Sequence, residues 1–99
     1  MKGNFDKIVS GDTPVLVDFF ADWCGPCKTQ SSILKDLSGE LDGNAKIIKI
    51  DVDKNQNIAS RFKVRNIPTL ILFRNGLEVW KKAGVSSTDE LEQVISQHQ

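Results

Sequence analysis

The sequence predicts an α/β domain, a mixed four-stranded sheet with helices on both faces. Three observations predict this class. Residues 15–21 form a nearly continuous apolar run rich in β-formers, which is typical of a parallel strand buried on both faces. Helical and strand-like patterns alternate in the first half of the chain, which indicates a right-handed βαβ unit. Asn75 and Gly76 separate two later β-type runs, residues 69–73 and 77–82, and predict a hairpin because both turn positions can take a positive φ.

The first half of the chain is predicted to run helix, strand, helix, strand. Residues 4–9 carry apolar side chains at helical spacing and predict a short first helix ahead of the strand at 15–21. Residues 45–52 form the second predicted strand. Between the two strands, after a pair of cysteines, a second helix is predicted by a single apolar stripe of Ile33, Leu34, Leu37 and Leu41.

The second half is predicted to place a helix on each side of the hairpin. Asp53 or Asn55 is the expected N-cap of a short third helix that is marked by Ile58, Ala59 and Phe62. Ser87, with Glu90 three residues later, predicts a capping box that opens the last helix. We interpret Trp80 only as a side chain that packs against the sheet or as an exposed aromatic residue without a function.

Length and composition limit the function classes. The 99 residues predict one domain over 1–99, since domains run to roughly 100–150 residues. A hydrophobic share of 39% excludes a disordered tail, and 13 basic residues against 13 acidic ones argue against nucleic acid or an anionic membrane as the partner. No apolar run reaches the roughly 20 residues of a membrane helix, and no apolar stretch follows the first lysine as in a signal peptide. A cytoplasmic protein is expected.

The segment Trp23-Cys24-Gly25-Pro26-Cys27 carries the chemistry, at the predicted junction of a buried strand and a helix. Positions i and i+3 of a helix face the same way, roughly 5–6 Å apart at Cβ, so the cysteines can form a disulfide with little backbone movement. Unpaired N–H groups and the positive end of the helix dipole favour the thiolate of Cys24. Pro26 suits a first helical turn because its missing N–H would be unpaired there. Cys27, one turn deeper, should be the more shielded sulfur.

Three competing interpretations of the cysteine pair are weaker. A structural zinc site needs four ligands, and besides the two cysteines the chain offers only His98, so no metal is expected. A purely structural disulfide around so short a loop would constrain little unfolded-chain entropy. Unreactive buried thiols would not require the neighbouring Trp, Gly and Pro. Reversible dithiol chemistry is therefore favoured.

Asp18 interrupts the apolar strand six residues before Cys24. An unpaired buried carboxylate is costly, so either the strand boundary is misplaced, or the acid leans out to a lysine, or it is held for a function. In the last case, burial would raise its pKa and prepare it to accept a proton near neutrality. Lys49 lies on the neighbouring predicted strand, where it could also simply extend into solvent.

Together these motifs resemble the thioredoxin family from about residue 14 to the C-terminus. They are the WCGPCK segment after VDFFAD, an Ile-Pro-Thr triplet before a strand, the Asn-Gly hairpin and a late glycine. The resemblance implies the thioredoxin fold. It also implies that Asp18 is the buried acid that helps to deprotonate Cys27, and that Lys49 accompanies that acid.

The resemblance further implies a substrate-docking surface. Ile67-Pro68 is similar to the family's cis-proline loop, in which the residue before the proline pairs by its backbone with an extended substrate segment. Sequence alone favours a trans bond, and Pro68 could be an ordinary strand-leading proline. Gly84 could be only a turn glycine, but the resemblance places it in an apolar patch with Trp23, Gly25, Pro26 and Ile67.

The implied activity is reduction of protein disulfides. Cys24 would attack the substrate disulfide and Cys27 would resolve the mixed disulfide, without a metal or organic cofactor. The implied partners are disulfide-containing proteins and a separate thioredoxin reductase that uses NADPH. Two alternatives stay open. A disulfide oxidant or isomerase usually carries His between its cysteines, where this chain has Gly25 and Pro26. A redox-independent binding module would use the apolar patch around Trp23.

The chain departs from the family pattern at three places. Only about three residues precede Asn4, too few for the strand with which most thioredoxins begin, so we expect four strands with residues 45–52 at an edge. An exposed edge is prone to pairing, so we expect either a monomer with lower stability than a five-stranded relative has, or a weak dimer through this edge. Ser32 replaces a helix-bending proline and should leave the helix straighter. Phe20 replaces a tryptophan.

Overall fold

The computed structural model describes residues 2–99, and its element order is the predicted one. The eight elements are α1 (Lys2–Val9), β1 (Val15–Phe20), α2 (Gly25–Leu41), β2 (Lys46–Asp51), α3 (Gln56–Arg61), β3 (Thr69–Arg74), β4 (Leu77–Ala83) and α4 (Thr88–Gln97). Most boundaries differ from the prediction by one or two residues. The α2 helix is continuous through Ser32.

The four strands form one mixed sheet in the order β2-β1-β3-β4. The β1 strand pairs with β2 in parallel and with β3 antiparallel, and β4 returns antiparallel to β3. The predicted mixed four-stranded sheet is therefore confirmed. Within residues 2–99, β2 pairs only with β1, so it lies at an edge of the sheet as expected.

Helices cover both faces of the sheet and enclose two hydrophobic cores. Side chains alternate between faces along a strand. Leu16 of β1 packs with residues of α2 and α4, whereas Val17 and Phe19 pack with residues of α1 and α3. Every residue of β1 except Phe20 is buried, which explains its nearly continuous apolar sequence. Trp80 is half-buried against the α2–α4 core, so it serves strand packing.

The predicted turn and the forward half of the capping box are both present. Asn75 and Gly76 have φ angles of 55° and 80°, as the hairpin requires. The hydroxyl of Ser87 accepts a hydrogen bond from the Glu90 N–H at 3.2 Å. The reciprocal half of the box does not form, because Lys82 binds the Glu90 carboxylate at 2.8 Å instead.

The predicted cap of the third helix is confirmed in position, at Asn55, but not as a side-chain hydrogen bond. Asn55 occupies the N-cap position, but its side chain makes no capping bond and donates to the Asp51 carbonyl at 3.0 Å. Asp53 accepts a hydrogen bond from Trp23 instead. Phe62 lies just beyond the helix, where its ring packs against those of Phe5 and Phe73.

Among the helices from residue 2 onward, none is both long enough and apolar enough to cross a bilayer.

Candidate active site

The two cysteines lie where β1 gives way to α2. Cys24 is the N-cap of α2 with an extended backbone, and Gly25 and Pro26 form the first turn. Cys27 follows one turn later, and the two residues form a disulfide with their Cα atoms 5.3 Å apart. The close spacing predicted from the CxxC pattern is confirmed, and Pro26 occupies a position where no N–H is needed.

The surroundings of Cys24 favour negative charge on its sulfur. The backbone N–H of Cys27 donates to the Cys24 Sγ atom at 3.1 Å, and the N-terminus of a 17-residue helix adds its positive dipole end. Both cysteines are nearly buried: Cys24 is 4% exposed and Cys27 is 2% exposed. Shielding therefore differs only slightly between them. They pack together with Ala21, against Ile67.

Asp18 is fully buried in the middle of β1, so the strand boundary was not misplaced. It lies two residues after Leu16 and therefore faces the side of the sheet covered by α2, the helix that carries Cys27. Neither carboxylate oxygen has a hydrogen-bond partner among residues 2–99. Burial raises the pKa of Asp18 from its ordinary value of 3.8 to about 6, although the Lys49 charge opposes that rise. The group can exchange a proton near neutral pH.

Lys49 stands beside Asp18 in the sheet but does not form a hydrogen bond with it. The two residues are paired in the parallel register of β1 and β2. The Lys49 ammonium donates instead to the Ser31 Oγ atom of α2 at 2.6 Å, and it lies 4.8 Å from the centre of the Phe20 ring. Its charge influences Asp18 through space, while α2 fixes its position.

A cavity of about 140 Å³ opens beside Cys27. Lys49 and Ser31 line it together with Phe20. Water in this cavity would reach both the second cysteine and the lysine that neighbours the buried acid. The cavity thus connects the second cysteine with the lysine that neighbours the buried acid.

The loop that carries Ile67 and Pro68 meets the loop that carries Gly84 beside the cysteines. The Ile67-Pro68 peptide bond is cis, as the resemblance implied. Ile67 packs against the cysteine pair, and the Pro68 carbonyl accepts a hydrogen bond from the Gly84 N–H at 2.8 Å. Gly84 has a φ of 92°, a conformation that side chains rarely allow. Ile67, Pro68 and Gly84 thus belong to one connected structure, although Pro68 itself is buried.

Trp23 presents the largest exposed apolar side chain near the cysteines. It is 72% exposed, and its indole N–H donates to the Asp53 carboxylate at 2.9 Å. Gly25 and Pro26 are also exposed. The expected docking residues are therefore accessible at this end of the molecule, except for Pro68 and the half-buried Ile67.

Sequence reasoning missed three residues of this region. Ser31 binds Lys49 and Asp53 binds Trp23. No local pattern marks Ser31, and the sequence marked Asp53 only as a helix cap. Gln30 is different: it is fully buried and exchanges hydrogen bonds with the backbone of Ser86. Its signal was present in the sequence, because a polar residue falls on the buried stripe of α2 between Cys27 and Leu34.

Nowhere in residues 2–99 do three or more His, Cys, Asp or Glu side chains come together in a way that could hold a metal ion.

Comparisons with known proteins agree on one family. The family model named Thioredoxin matches residues 1–97. The chain is 45% identical over 95 residues to a thioredoxin of Staphylococcus saprophyticus, covering 96% of this chain and 90% of that protein. It is 44% identical over 91 residues to a thioredoxin of Haemophilus influenzae, covering 92% and 85%. Among solved structures, a mutant thioredoxin from Halobacterium salinarum superposes with a TM-score of 0.88 at 38% identity, covering 97% of this chain and 83% of that one.

The charge on Asp18 should destabilise the oxidised protein above its pKa. The folded state holds the Asp18 proton more tightly than the unfolded chain does, so stability falls as pH rises from 3.8 to about 6 and stays low above that range. The isosteric variant Asp18→Asn has no such charge. Relative to the wild type, its free energy of unfolding should therefore rise by about 3 kcal/mol between acidic and neutral pH.

Denaturant unfolding at a series of pH values measures this difference. Asp36→Asn, an exposed change on α2, is the control and should run parallel to the wild type. A constant difference between Asp18→Asn and the wild type across the pH range would show that burial does not perturb this carboxyl.

Proposed function

The chain belongs to the thioredoxin family and is a thiol–disulfide oxidoreductase that reduces protein disulfides through Cys24 and Cys27; we propose that Cys24 is the attacking thiolate and Cys27 the resolving thiol. One observation carries this assignment: Cys24 caps the N-terminus of α2 and accepts the Cys27 N–H on its sulfur. Both features stabilise negative charge on Cys24 and neither acts on Cys27.

The reaction proceeds in two exchange steps. The Cys24 thiolate attacks one sulfur of the substrate disulfide, forms a mixed disulfide and releases the other substrate sulfur, which takes a proton from solvent. Cys27, once deprotonated, attacks the Cys24 sulfur, and the second substrate sulfur leaves as a thiol. Two electrons pass from the cysteine pair to the substrate, and the Cys24–Cys27 disulfide remains.

Asp18 is the proposed proton acceptor for Cys27 in the second step. It lies on the α2 side of the sheet, and its pKa of about 6 allows it to be ionised, and so to take up a proton, near neutral pH. Lys49, which lowers the pKa of Asp18, keeps that carboxylate ionised over a wider range. The cavity beside Cys27 would pass the proton on to solvent.

The proposed docking surface consists of the accessible residues around the cysteines. An extended segment of the substrate would pair with the backbone of Ile67, next to Pro68, as an added strand would. Trp23, Gly25, Pro26 and Gly84 would contact its side chains. These residues offer apolar area and little charge, which suits many different protein partners.

We propose a cytoplasmic location and operation as a single domain over residues 1–99. Family membership implies disulfide-containing proteins as substrates and a thioredoxin reductase as partner, with no cofactor beyond the redox-active disulfide. The proposed electron source is NADPH, through that separate reductase. In this scheme the protein carries electrons from the reductase to oxidised proteins.

The redox potential of the Cys24–Cys27 pair decides between a reductant and an oxidant. Equilibration in defined dithiol and disulfide buffers should give about −270 mV, the established value for thioredoxin itself. A value of about −180 to −120 mV, the range of dedicated isomerases and oxidants, would assign the protein to disulfide formation.

The division of roles between the cysteines can be tested by trapping. Cys27→Ser should accumulate a mixed disulfide with a protein substrate, because the resolving thiol is absent, whereas Cys24→Ser should form none. Non-reducing electrophoresis after mixing with oxidised insulin separates the two outcomes. Trapping through Cys27 instead would reverse the assignment. Full biological activity of a double Cys24→Ser, Cys27→Ser variant would favour a redox-independent binding module.

The free edge of β2 is the proposed site of weak self-association. Alternate N–H groups of β2 bond to β1, from Lys46 to Pro14 and from Val52 to Phe20, so the N–H of Ile47 points away from the sheet. Sedimentation at rising concentration should show weak dimers, or thermal unfolding should show lower stability than a five-stranded relative has. Where dimers form, Ile47→Pro should abolish them by removing that donor, and Ile47→Ala is the control. A strict monomer of ordinary stability would refute the proposal.

A further inference from the structure

Gln30 joins the active-site helix to a distant loop by two hydrogen bonds. Its side chain is fully buried on α2. The Gln30 Nε2 atom donates to the Ser86 carbonyl at 3.1 Å, and the Ser86 N–H donates to the Gln30 Oε1 atom at 2.7 Å. Both polar functions of the Gln30 side chain thus bind the two backbone polar groups of Ser86, 56 positions away in the chain, whereas the buried Ser86 hydroxyl has no hydrogen-bond partner among residues 2–99.

This pair of bonds connects parts of the proposed docking surface. Gln30 follows Cys27 by three residues and lies on the same buried face of α2. Ser86 follows Gly84 by two residues, and the Gly84 N–H donates to the Pro68 carbonyl at 2.8 Å. Ile67, directly before Pro68, packs against the cysteines. The α2 helix, the loop that carries Gly84 and Ser86, and the loop that carries Ile67 and Pro68 are therefore linked in a ring of contacts around the disulfide.

The loop of residues 84–87 is held at its ends by the bonds of Gly84 to Pro68 and of Ser87 to the first turn of α4, and Gln30 holds the middle of it. The loop belongs to neither a strand nor a helix, and Val85 within it is 39% exposed. An apolar side chain at position 30 would fill the same space but would leave the buried N–H and carbonyl of Ser86 without partners. The loop would then have to move toward water to satisfy them. An amide at position 30 therefore fixes where the loop lies, which hydrophobic packing alone would not do.

We propose that Gln30 is a positioning residue for substrate docking. It holds residues 84–86 in the position in which an extended protein segment can contact both Gly84 and Ile67. The proposal rests on the docking surface described above. Its consequence is selectivity for protein disulfides over small ones. A small disulfide needs only the sulfur of Cys24, whereas a protein segment needs both loops in place at once.

The test compares a protein substrate with a small one in the variant Gln30→Leu. The KM for insulin should rise by about fivefold, because a loop with several positions is competent to bind only part of the time. The kcat for insulin, the rate with oxidised glutathione and the redox potential should be unchanged. Hydrogen exchange at the Ser86 amide should accelerate by about tenfold while amides of β3 keep their protection.

A second variant separates positioning from simple loss of stability. Gln30→Glu retains the shape, and its carboxyl, when protonated, can donate to the Ser86 carbonyl as the amide does. At each pH, the KM of the variant for insulin is divided by the KM of the wild type. This ratio should approach one as the pH falls. The ratio removes the part of the pH dependence that both proteins share, including the shared titration of Asp18, the buried carboxyl on the same side of the sheet, and of the cysteines. Leu37→Val, a buried change on the same helix, is the control that should lower Tm without raising KM.

Several results would overturn the proposal. An unchanged KM for insulin in Gln30→Leu, or an equal loss of rate with glutathione and insulin, would show that Gln30 does not act through the docking surface. If Gln30→Leu fails to fold, a pH-independent KM ratio in Gln30→Glu would do the same. If the wild-type protein reduces oxidised glutathione but not insulin, the proposed function itself would be contradicted.

Discussion

The structure depends on the complete burial of one strand. The β1 strand has a neighbour on each edge and a helical layer on each face, and its apolar residues link the two cores. Because it is held from four sides, the point where it ends is fixed, and the chain must turn there into α2. The cysteines occupy that turn. The accuracy of their placement is thus a product of hydrophobic burial in the strand that precedes them.

The same burial sets the pKa of Asp18. A carboxyl on an exposed strand would be ionised at every physiological pH. Enclosed by β2, β3 and the layer of α2, it becomes a weak acid whose charge is sensitive to the lysine on the neighbouring strand. Holding this titratable group in the interior lowers the stability of the folded protein at pH values above its pKa. Lys49 moderates this loss without neutralising it, because Ser31 and Phe20 hold its ammonium group.

Much of this arrangement could be predicted from the sequence, where the signal was local. The run at residues 15–21, the Asn-Gly turn and the cysteine spacing each fix a conformation through neighbouring residues. The position of the α3 cap could be predicted, but the missing capping bond could not, because the side chains of Asn55 and Asp53 have other partners in the folded chain. The cis bond before Pro68 came from family resemblance, since a single sequence favours trans. Gln30 was visible as a polar residue on an apolar stripe, but its partner lies far along the chain.

The hydrogen bond between Trp23 and Asp53 has a consequence for the thermodynamics of association. An exposed aromatic side chain normally explores several rotamers and loses that freedom when a partner covers it. Here the indole is attached to a carboxylate on the loop after β2, so much of its conformational entropy is lost during folding. A visiting protein can then cover a large apolar area with a small entropic penalty, without making contacts specific to its own sequence. If the proposed docking surface is used in this way, it would accept many partners without being specific for one of them.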